Sequence, residues 1–488
     1  MAQAQTTTLP TPVSHGGGRL RSIDDLPGPR PWPLLGNVPQ LRTDRIHLDV
    51  EQWVRTYGPL FRFSIGPLKI MVVADQAVAN TLLRDRPEGI QRPVLATEVF
   101  TEMGLKPGVF HAEGEAWQRQ RRMVMAAFLP TQVRAYHPTL LKVAERLKGR
   151  WQRAAREGRA LDLLPELMRY TVDGVAGLAF GVDVNTLETD GDVIQDHLDK
   201  VFPAWFERIT AAVPYWRFVK LPSDRTLDRS VKAINLAVDQ FIAQARQSLA
   251  DDPARRMAPR SLLEAMIMAA DEADSGLSDD DIAGNVLTML LAGEDTTATS
   301  IAWLLYFLHK HPEVKRRVQA EVAQCDATHP PLSPEHLGAM PYLDACINET
   351  LRLKPVAPFV PLEAAKDRVI GDVNVPAGTL IWVMQRHDTM DPNRVAQPAA
   401  FLPERWLEGD GTQGSVSDLK RLSIPFGAGP RVCPGRHLAL TEMKMATAML
   451  LTNFEVESVD TADGQPPAEL MAFTMSPVGL RMRLRERV

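Results

Sequence analysis

The chain is poor in cysteine, with Cys325, Cys346 and Cys433 as its three cysteines in 488 residues. Three cysteines cannot form a disulfide framework, and their odd number leaves at least one of them free. No pair has C-x-x-C spacing, and no group of histidines supplies the other ligands of a zinc site. This usage excludes a disulfide-stapled secreted domain and predicts a reducing compartment, which we expect to be the cytoplasm.

The sequence also lacks an excess of positive charge and any long apolar run. Its 55 Lys and Arg residues against 60 Asp and Glu give a net charge of −5, which argues against a nucleic-acid partner. A membrane span needs about 20 apolar residues in a row, and none occurs. The leading residues are polar and Gly-rich, without the apolar core of a signal peptide. We expect a disordered segment at 1–25 and a single domain at 26–488.

Helical periodicity is abundant, and it predicts a fold that is mainly α with a minor β region. The longest helical pattern covers 278–311, with Ser278 as its N-cap and Pro312 just beyond its end. Such a helix is roughly 50 Å long, and its apolar middle places it in the interior. Further helical patterns lie at 115–128, 139–158, 164–181 and 229–250, and strand patterns lie at 60–66, 68–75 and 368–385.

A proline-rich segment, LPGPRPWPLLGNVP at 26–39, precedes the first strand pattern. Its prolines forbid helix and favour an extended polyproline II conformation. The segment is either a simple linker or a stiff strap on the domain surface. Trp32, Leu34 and Leu35 favour the strap, because they could dock it through apolar contacts.

The loop FGAGPRVCPGR at 426–436 surrounds Cys433 with three glycines, two prolines and two arginines. Arginines and backbone N–H groups favour the thiolate, which is the form of cysteine that binds metals. The glycines allow the backbone to approach a flat group closely. A helical pattern follows the loop, so the positive end of a helix dipole also favours an anionic sulfur. An inert buried cysteine is the alternative, and the spacing of Gly, Pro and Arg argues against it.

Phe426, Gly429, Arg431, Cys433 and Gly435 resemble the haem-binding loop F-x-x-G-x-R-x-C-x-G of the cytochrome P450 family. The resemblance extends from about residue 27 to the C-terminus. It implies a cytochrome P450 fold, with a long central helix over a haem b cofactor. It also implies that Cys433 is the axial thiolate ligand of the iron, which in this family favours O–O cleavage.

A second motif, AGEDTT at 292–297, lies inside the longest helical pattern and resembles the family's dioxygen groove. Ala292 and Gly293 would border the cofactor, and Asp295 and Thr296 would organise proton delivery. Thr296 can also bond to a carbonyl one turn earlier and loosen the helix. Glu294 occupies the family's variable position and is given no role. A bent buried helix is the alternative.

Two further motifs match the family in the expected order. In ETLR, Glu349 and Arg352 share a helix face, and together with Arg405 they would form a structural ion-pair network behind the haem loop. In WQRQRR, Trp117 and Arg121 also share a face and would meet the haem propionates together with Arg431.

One position departs from the family. Many members carry another propionate-binding arginine where Glu363 stands here. A carboxylate cannot serve that purpose, so we expect the propionates to be held differently.

The resemblance implies a monooxygenase that inserts one oxygen atom from dioxygen into an apolar substrate. Two alternatives remain: a peroxide-driven or isomerising haem-thiolate enzyme, and a non-catalytic haem protein that binds a ligand. The acid–threonine pair favours the monooxygenase. The residues expected near the substrate are apolar: Leu95, Val99, Phe100, Met103, Leu105, Val109, Phe110, Phe473 and Met475.

The sequence also bears on the source of electrons. No G-x-G-x-x-G or other nucleotide-binding fingerprint occurs, so electrons would come from a separate ferredoxin or flavodoxin with its reductase. A basic surface near Cys433 would steer such an acidic donor. We expect this surface to comprise Arg119, Arg122, Arg436 and Lys444.

Overall fold

The structure is a computed structural model that describes residues 20–128, 134–189, 194–211, 213–324, 330–407 and 416–487. The described residues do not include 1–19, for which disorder is predicted. They also do not include Cys325. The α-helices α1 to α16 span, in order, Ile46–Tyr57, Gln76–Arg84, Val94–Glu102, Gly114–Ala127, His137–Arg156, Leu163–Phe180, Ile194–Leu198, Val201–Thr210, Pro222–Asp251, Leu262–Ala270, Asp279–Lys310, Pro312–Val322, Pro334–Gly338, Pro341–Leu353, Val416–Leu422 and Arg436–Asn453.

Short strands form the minor part of the fold. Strands β1 to β13 span Arg21–Ser22, Leu60–Ile65, Leu68–Val73, Ile90–Gln91, Leu161–Asp162, Phe359–Ala364, Arg368–Ile370, Val373–Val375, Leu380–Met384, Phe454–Asp460, Glu469–Met471, Met475–Pro477 and Arg481–Glu486. The largest sheet has the order β2-β3-β9-β6-β4, in which β2 and β3 are antiparallel and β3 and β9 are parallel. The prediction of a mainly α fold with a minor β region is confirmed.

Helix α11 (Asp279–Lys310) is the central helix that the pattern at 278–311 predicts. Ser278 caps it, since its hydroxyl accepts from the Asp281 N–H while the Asp281 carboxylate accepts from the Ser278 N–H in return. The middle of the helix is buried and packs along α6 (Leu163–Phe180). The apolar periodicity therefore does place this helix in the interior.

The folded part begins earlier than the predicted boundary at residue 26. Strand β1 pairs in parallel with β8, where Arg21 lies opposite Val373. Ile23 is buried in the core beneath this small sheet. Residues 21–25 thus belong to the fold. The sequence gives no local signal for this, because β1 and β8 are distant in sequence.

The proline-rich segment is a strap, but its apolar side chains do not dock it. Trp32 is 58% exposed, Leu34 94% and Leu35 48%, so the prediction that these three hold it down is wrong. Backbone contacts hold it instead: the Arg62 N–H donates to the Pro27 carbonyl over 2.9 Å. The buried Asn37 side chain accepts from the Ser64 N–H over 2.9 Å, which ties the strap to β2.

The main hydrophobic core lies among the helices. Trp151 of α5 and Trp303 of α11 are among the largest fully buried side chains, and Trp151 meets Phe454 of β10 edge-on. Within the ranges that the structure describes, no helix is long and apolar enough to cross a membrane.

Gly293 allows α11 to approach α6 closely, since an added Cβ would lie 2.5 Å from Val175 Cγ2. We expect Gly293→Ala to destabilise the wild-type protein by about 1–3 kcal/mol through overpacking. In a Val175→Ala background, where the clash is removed, the same change should be neutral or stabilising by up to about 1 kcal/mol, since alanine favours helix. Equal effects in both backgrounds, measured by urea unfolding, would argue against a packing role.

Candidate functional site

The loop before α16 holds Cys433 in a fixed conformation. Gly427 and Gly429 adopt positive φ angles of 74° and 71°. A Cβ on Gly429 would also collide with the carbonyl of Leu83, so only glycine fits there. The Cys433 N–H donates to the Phe426 carbonyl over 2.9 Å and closes the loop. Gly435 then caps α16.

The sulfur of Cys433 lies in a recess, where protein surrounds most of it and one side stays open. Burial raises the pKa of the Cys433 thiol, while the N–H groups of Gly435 and Arg436 and the charge of Arg121 act in the opposite direction. These donors match a sulfur that becomes anionic when a cation binds on the open side, because a coordinating thiol loses its proton.

Arg431, Trp117 and Arg121 meet beside this recess. The Arg431 guanidinium lies 4.7 Å from the Trp117 ring centroid and donates to the Ala112 carbonyl over 2.6 Å. It also pairs with Glu113. Arg121 donates to the Val432 carbonyl over 2.7 Å, which ties α4 to the cysteine loop. The structure thus brings these three predicted residues together.

Arg86 and Arg92 add two more enclosed guanidinium groups that sequence reasoning missed. Burial, followed by the charge of Arg431, lowers the pKa of Arg86 to about 10. Burial also lowers the pKa of Arg92 well below its usual range, with the charge of Arg86 as the next cause. Neither residue lies in a periodic pattern, because each stands alone in the loops around β4, so the sequence offers no signal for them.

His111 belongs to the same region and was also missed. It is buried, and its ring stacks on Phe100 with the centroids 4.0 Å apart. Burial and then the nearby Arg92 lower the pKa of His111 to about 3, so the imidazole is neutral at physiological pH. Within the described residues, both ring nitrogens lack a hydrogen-bond partner.

The region therefore contains more positive charge than its own carboxylates balance. Among the described residues, Nε and Nη1 of Arg431 and Nε and Nη2 of Arg86 are buried without a hydrogen-bond partner. Burying unpaired cationic donors costs free energy, so such a cluster fits an anionic ligand. Two carboxylates on a flat group beside a metal-binding sulfur would satisfy it.

Glu363 does not belong to this cluster of cations. Its carboxylate accepts from Gln91 Nε2 and from the Val94 N–H, each over 3.0 Å. These bonds join β6 to β4 and to the start of α3 (Val94–Glu102). Arg86 and Arg92 supply positive charge in the same region, which gives a physical reason why an arginine at 363 is dispensable.

The motif of α11 contributes a further set of polar side chains. Ala292 is exposed at a point where the surrounding helix is buried. Thr296 Oγ1 donates to the Ala292 carbonyl over 2.7 Å, one turn earlier. The Asp295 carboxylate accepts from Thr474 and from Thr299, the latter over 3.4 Å, and burial raises the pKa of Asp295. Asp295 can therefore hold a proton more readily than an exposed aspartate.

Aromatic side chains from three elements meet near this motif. Phe473, at the turn between β11 and β12, stacks on Phe202 of α8 with ring centroids 4.1 Å apart. It also contacts Phe110 and Trp205, at 6.2 Å and 5.1 Å. Phe473 has a φ of 93°, a strained conformation that is typical of functional positions.

The apolar residues expected near the substrate fall into two groups. Leu95, Phe110 and Phe473 are only partly buried, so they can face a bound molecule. The remaining six are buried core residues: Val99, Phe100, Met103, Leu105, Val109 and Met475. Sequence reasoning missed Phe202, because one phenylalanine in a helix predicts only core packing.

Glu349, Arg352 and Arg405 form a buried ion-pair network. Both Glu349–Arg352 hydrogen bonds measure 2.8 Å, and Arg405 Nε donates to the same carboxylate over 3.0 Å. The Trp406 indole adds a donor at 2.9 Å. Arg352 also donates to the carbonyls of Thr389 and Pro398, so the network ties α14 to the chain that leads to the cysteine loop.

Comparison with known proteins agrees with this geometry. The sequence matches the Cytochrome P450 family over residues 26–484, so the chain belongs to that family. It is 29% identical over 462 residues to rat (Rattus norvegicus) mitochondrial 25-hydroxyvitamin D-1 alpha hydroxylase, covering 90% of this chain and 89% of that protein. It is 30% identical over 448 residues to Arabidopsis thaliana chloroplastic carotene epsilon-monooxygenase, covering 87% and 79%. The protein is a haem-thiolate monooxygenase, an oxidoreductase.

The unpaired guanidinium groups generate a prediction. Arg86→Met should stabilise the haem-free protein by about 1–3 kcal/mol, because it removes a buried cation with unpartnered donors. The same change should speed haem loss if Arg86 binds a haem propionate, as we propose below. Thermal unfolding of the haem-free protein and haem transfer to apomyoglobin measure the two effects. Arg84→Met, at an exposed position two residues away, is the control and should change neither. A destabilised haem-free protein with unchanged haem loss would contradict the assignment.

Proposed function

We propose that the protein binds haem b through Cys433 and inserts one oxygen atom into an apolar substrate by hydroxylation or epoxidation. The main support is the juxtaposition of a recessed Cys433 sulfur with the partly unpaired guanidinium groups of Arg86 and Arg431. A metal-bound porphyrin with two carboxylates complements both features. Haem with a thiolate ligand supplies dioxygen binding and O–O cleavage when it is bound.

The protein's own residues hold the cofactor in this proposal. Arg86, Arg92, Arg121 and Arg431 bind the propionates, and the neutral His111 offers a further N–H donor in the same region. Trp117 orients Arg431 through its ring face. The network around Glu349 keeps the cysteine loop in place.

Asp295 and Thr296 have the proton-transfer roles in this proposal. Asp295 holds a proton because burial raises its pKa, and Thr474 and Thr299 orient its carboxyl group. The Thr296 hydroxyl, anchored on the Ala292 carbonyl, keeps an oxygen lone pair free to position water on the open face of α11. Positioned proton transfer of this kind commonly accelerates a reaction about 10²–10⁴-fold.

The substrate in this proposal is apolar. Leu95, Phe110, Phe202 and Phe473 offer a partly buried surface of aromatic and aliphatic carbon. The names of two relatives refer to carotene and 25-hydroxyvitamin D, which agrees with a lipophilic substrate. A panel of dodecanoic acid, β-ionone and testosterone, screened by the haem spin-state shift, would identify the class.

Cys433 ligation is tested by spectroscopy. Cys433→His should abolish the red-shifted absorption of the reduced CO complex, because that band requires a thiolate ligand. The control is Cys346→Ser, since Cys346 is a buried residue of α14 and burial raises the pKa of its thiol. The assignment is wrong if the band survives in Cys433→His and vanishes in the control.

The electron donor remains part of the proposal, but its expected docking surface needs correction. Lys444 does not belong to it: this residue is 9% exposed, and its ammonium donates to the Leu337 carbonyl and to Asp344. Arg119 Nη1 lies 3.7 Å from Glu115 Oε2, and this negative charge weakens the positive field of Arg119. Arg122 and Arg436 are exposed and remain candidates for the basic surface. We propose an acidic ferredoxin or flavodoxin as partner, and the cytoplasm as location.

The corrected surface generates a prediction. Arg122→Glu should slow reduction by an acidic ferredoxin, and the wild-type rate should fall with rising salt, since exposed charges are screened beyond about 8 Å at 0.15 M. Stopped-flow reduction at several ionic strengths measures both. Lys232→Glu on α9 makes the same charge change at an exposed position on another element. Equal slowing by both variants would show that net charge, rather than this surface, sets the rate.

A further inference from the structure

An acidic cavity lies on the side of α11 that faces α6 and α8. Its volume is about 160 Å³. Three carboxyl residues, Asp199, Glu294 and Asp295, contribute to its wall together with Thr474 and Ser476. The rest of the lining is apolar: Leu164, Met168, Leu198, Phe202, Pro203, Leu291 and Ala472.

Glu294 and Asp199 share a hydrogen bond between their carboxyl groups. A carboxylate has no proton to donate, so one of the two groups must be protonated. Glu294 is 3% exposed, and its Oε1 atom has no hydrogen-bond partner among the described residues. An unpartnered buried oxygen at the wall of a cavity fits a ligand that donates hydrogen bonds, and water is the simplest one.

The charges around this pair keep protons on it. Burial raises the pKa of Asp199 to about 6 despite the hydrogen bond from Glu294, and the negative charges of Asp295 and Asp196 act in the same direction as burial. Lys200 is the cation that opposes them. Burial, then the charges of Asp199 and Asp295, raise the pKa of Glu294 well above its usual value.

The three carboxyl groups are arranged from solvent to the dioxygen motif. Asp199 reaches solvent in the turn between α7 and α8, although protein surrounds much of its carboxyl group. Glu294 is buried beside it, and Asp295 follows on α11, one residue before Thr296. The cavity is large enough to hold several waters. The three carboxyl groups therefore border one cavity that connects the exposed turn at Asp199 with Asp295.

We propose that Asp199 and Glu294 form the entry branch through which protons reach Asp295 from solvent. Glu294 gives a proton through cavity water to Asp295 and regains one from Asp199, which is reprotonated by bulk water. Each transfer moves one proton and no electrons, so the branch needs no further reactant. This inference rests on the proposed function, and it assigns a role to Glu294, which occupies a variable position of the motif.

The test uses the haem-loaded protein and dioxygen alone, so it does not depend on the substrate. Protein that is pre-reduced and mixed with excess reduced ferredoxin is exposed to dioxygen, and the return of the ferric absorption is followed between pH 5 and 8 in H₂O and D₂O. Glu294→Gln and Asp199→Asn are compared with the wild type. Glu207→Gln, at an exposed position of α8 outside the cavity, is the control, and Asp295→Asn is the reference for loss of the acid itself.

We expect Glu294→Gln and Asp199→Asn each to slow the return at least about tenfold, while Glu207→Gln leaves it unchanged. The wild-type rate should decline as pH rises through about 6, because Asp199 then loses its proton. This decline and the H₂O/D₂O ratio should change in Asp199→Asn, which a purely structural role would not cause. Asp199 is exposed, so this variant remains informative if Glu294→Gln does not fold.

Two results would overturn the proposal, and they have different consequences for the proposed function. If Asp295→Asn slows the return while Glu294→Gln and Asp199→Asn match the wild type in rate, pH profile and isotope ratio, protons enter elsewhere and the proposed function stands. If Asp295→Asn is also without effect, the proton-transfer role of the α11 motif fails together with the entry branch.

Discussion

The site depends on one constraint, which is the burial of positive charge that the chain does not neutralise by itself. The charge of Arg431 lowers the pKa of Arg86, and both charges lower the pKa of Arg92, while burial is the largest cause for all three arginines. Leaving a buried charge without its partner typically costs about 3–5 kcal/mol. The fold therefore stores an unfavourable charge arrangement that only an anionic ligand relieves, and this couples haem binding to stability.

The rest of the structure holds these guanidinium groups and the Cys433 sulfur in fixed relative positions. Gly429 lets the cysteine loop lie against the chain beside Arg86, and Arg121 ties the same loop to α4. The buried carboxylate of Glu349 accepts hydrogen bonds from two guanidinium groups and an indole, which fixes α14 against the chain around Arg405. The tight packing of Gly293 against Val175 fixes the position of the acid–threonine motif on α11.

The sequence was sufficient to predict elements that have a local signal. It failed for residues whose contact partners are distant in sequence. Capping by Ser278 and apolar periodicity identified α11 almost to the residue. Arg86 and His111 were missed, because isolated polar residues in loops look solvent-exposed. Lys444 was placed on the surface wrongly, since its partner Asp344 is 100 residues away in sequence. Glu294 was given no role and Asp199 was overlooked, because their contact joins two elements that no pattern pairs.

The most direct measurement compares the affinity of the haem-free protein for haem and for haem dimethyl ester, whose propionates carry no charge. The account predicts that the ester binds roughly 100- to 1,000-fold more weakly, because the buried arginines keep their unpaired charge. Equal affinities would contradict it, since the guanidinium cluster would then have no need of the propionates.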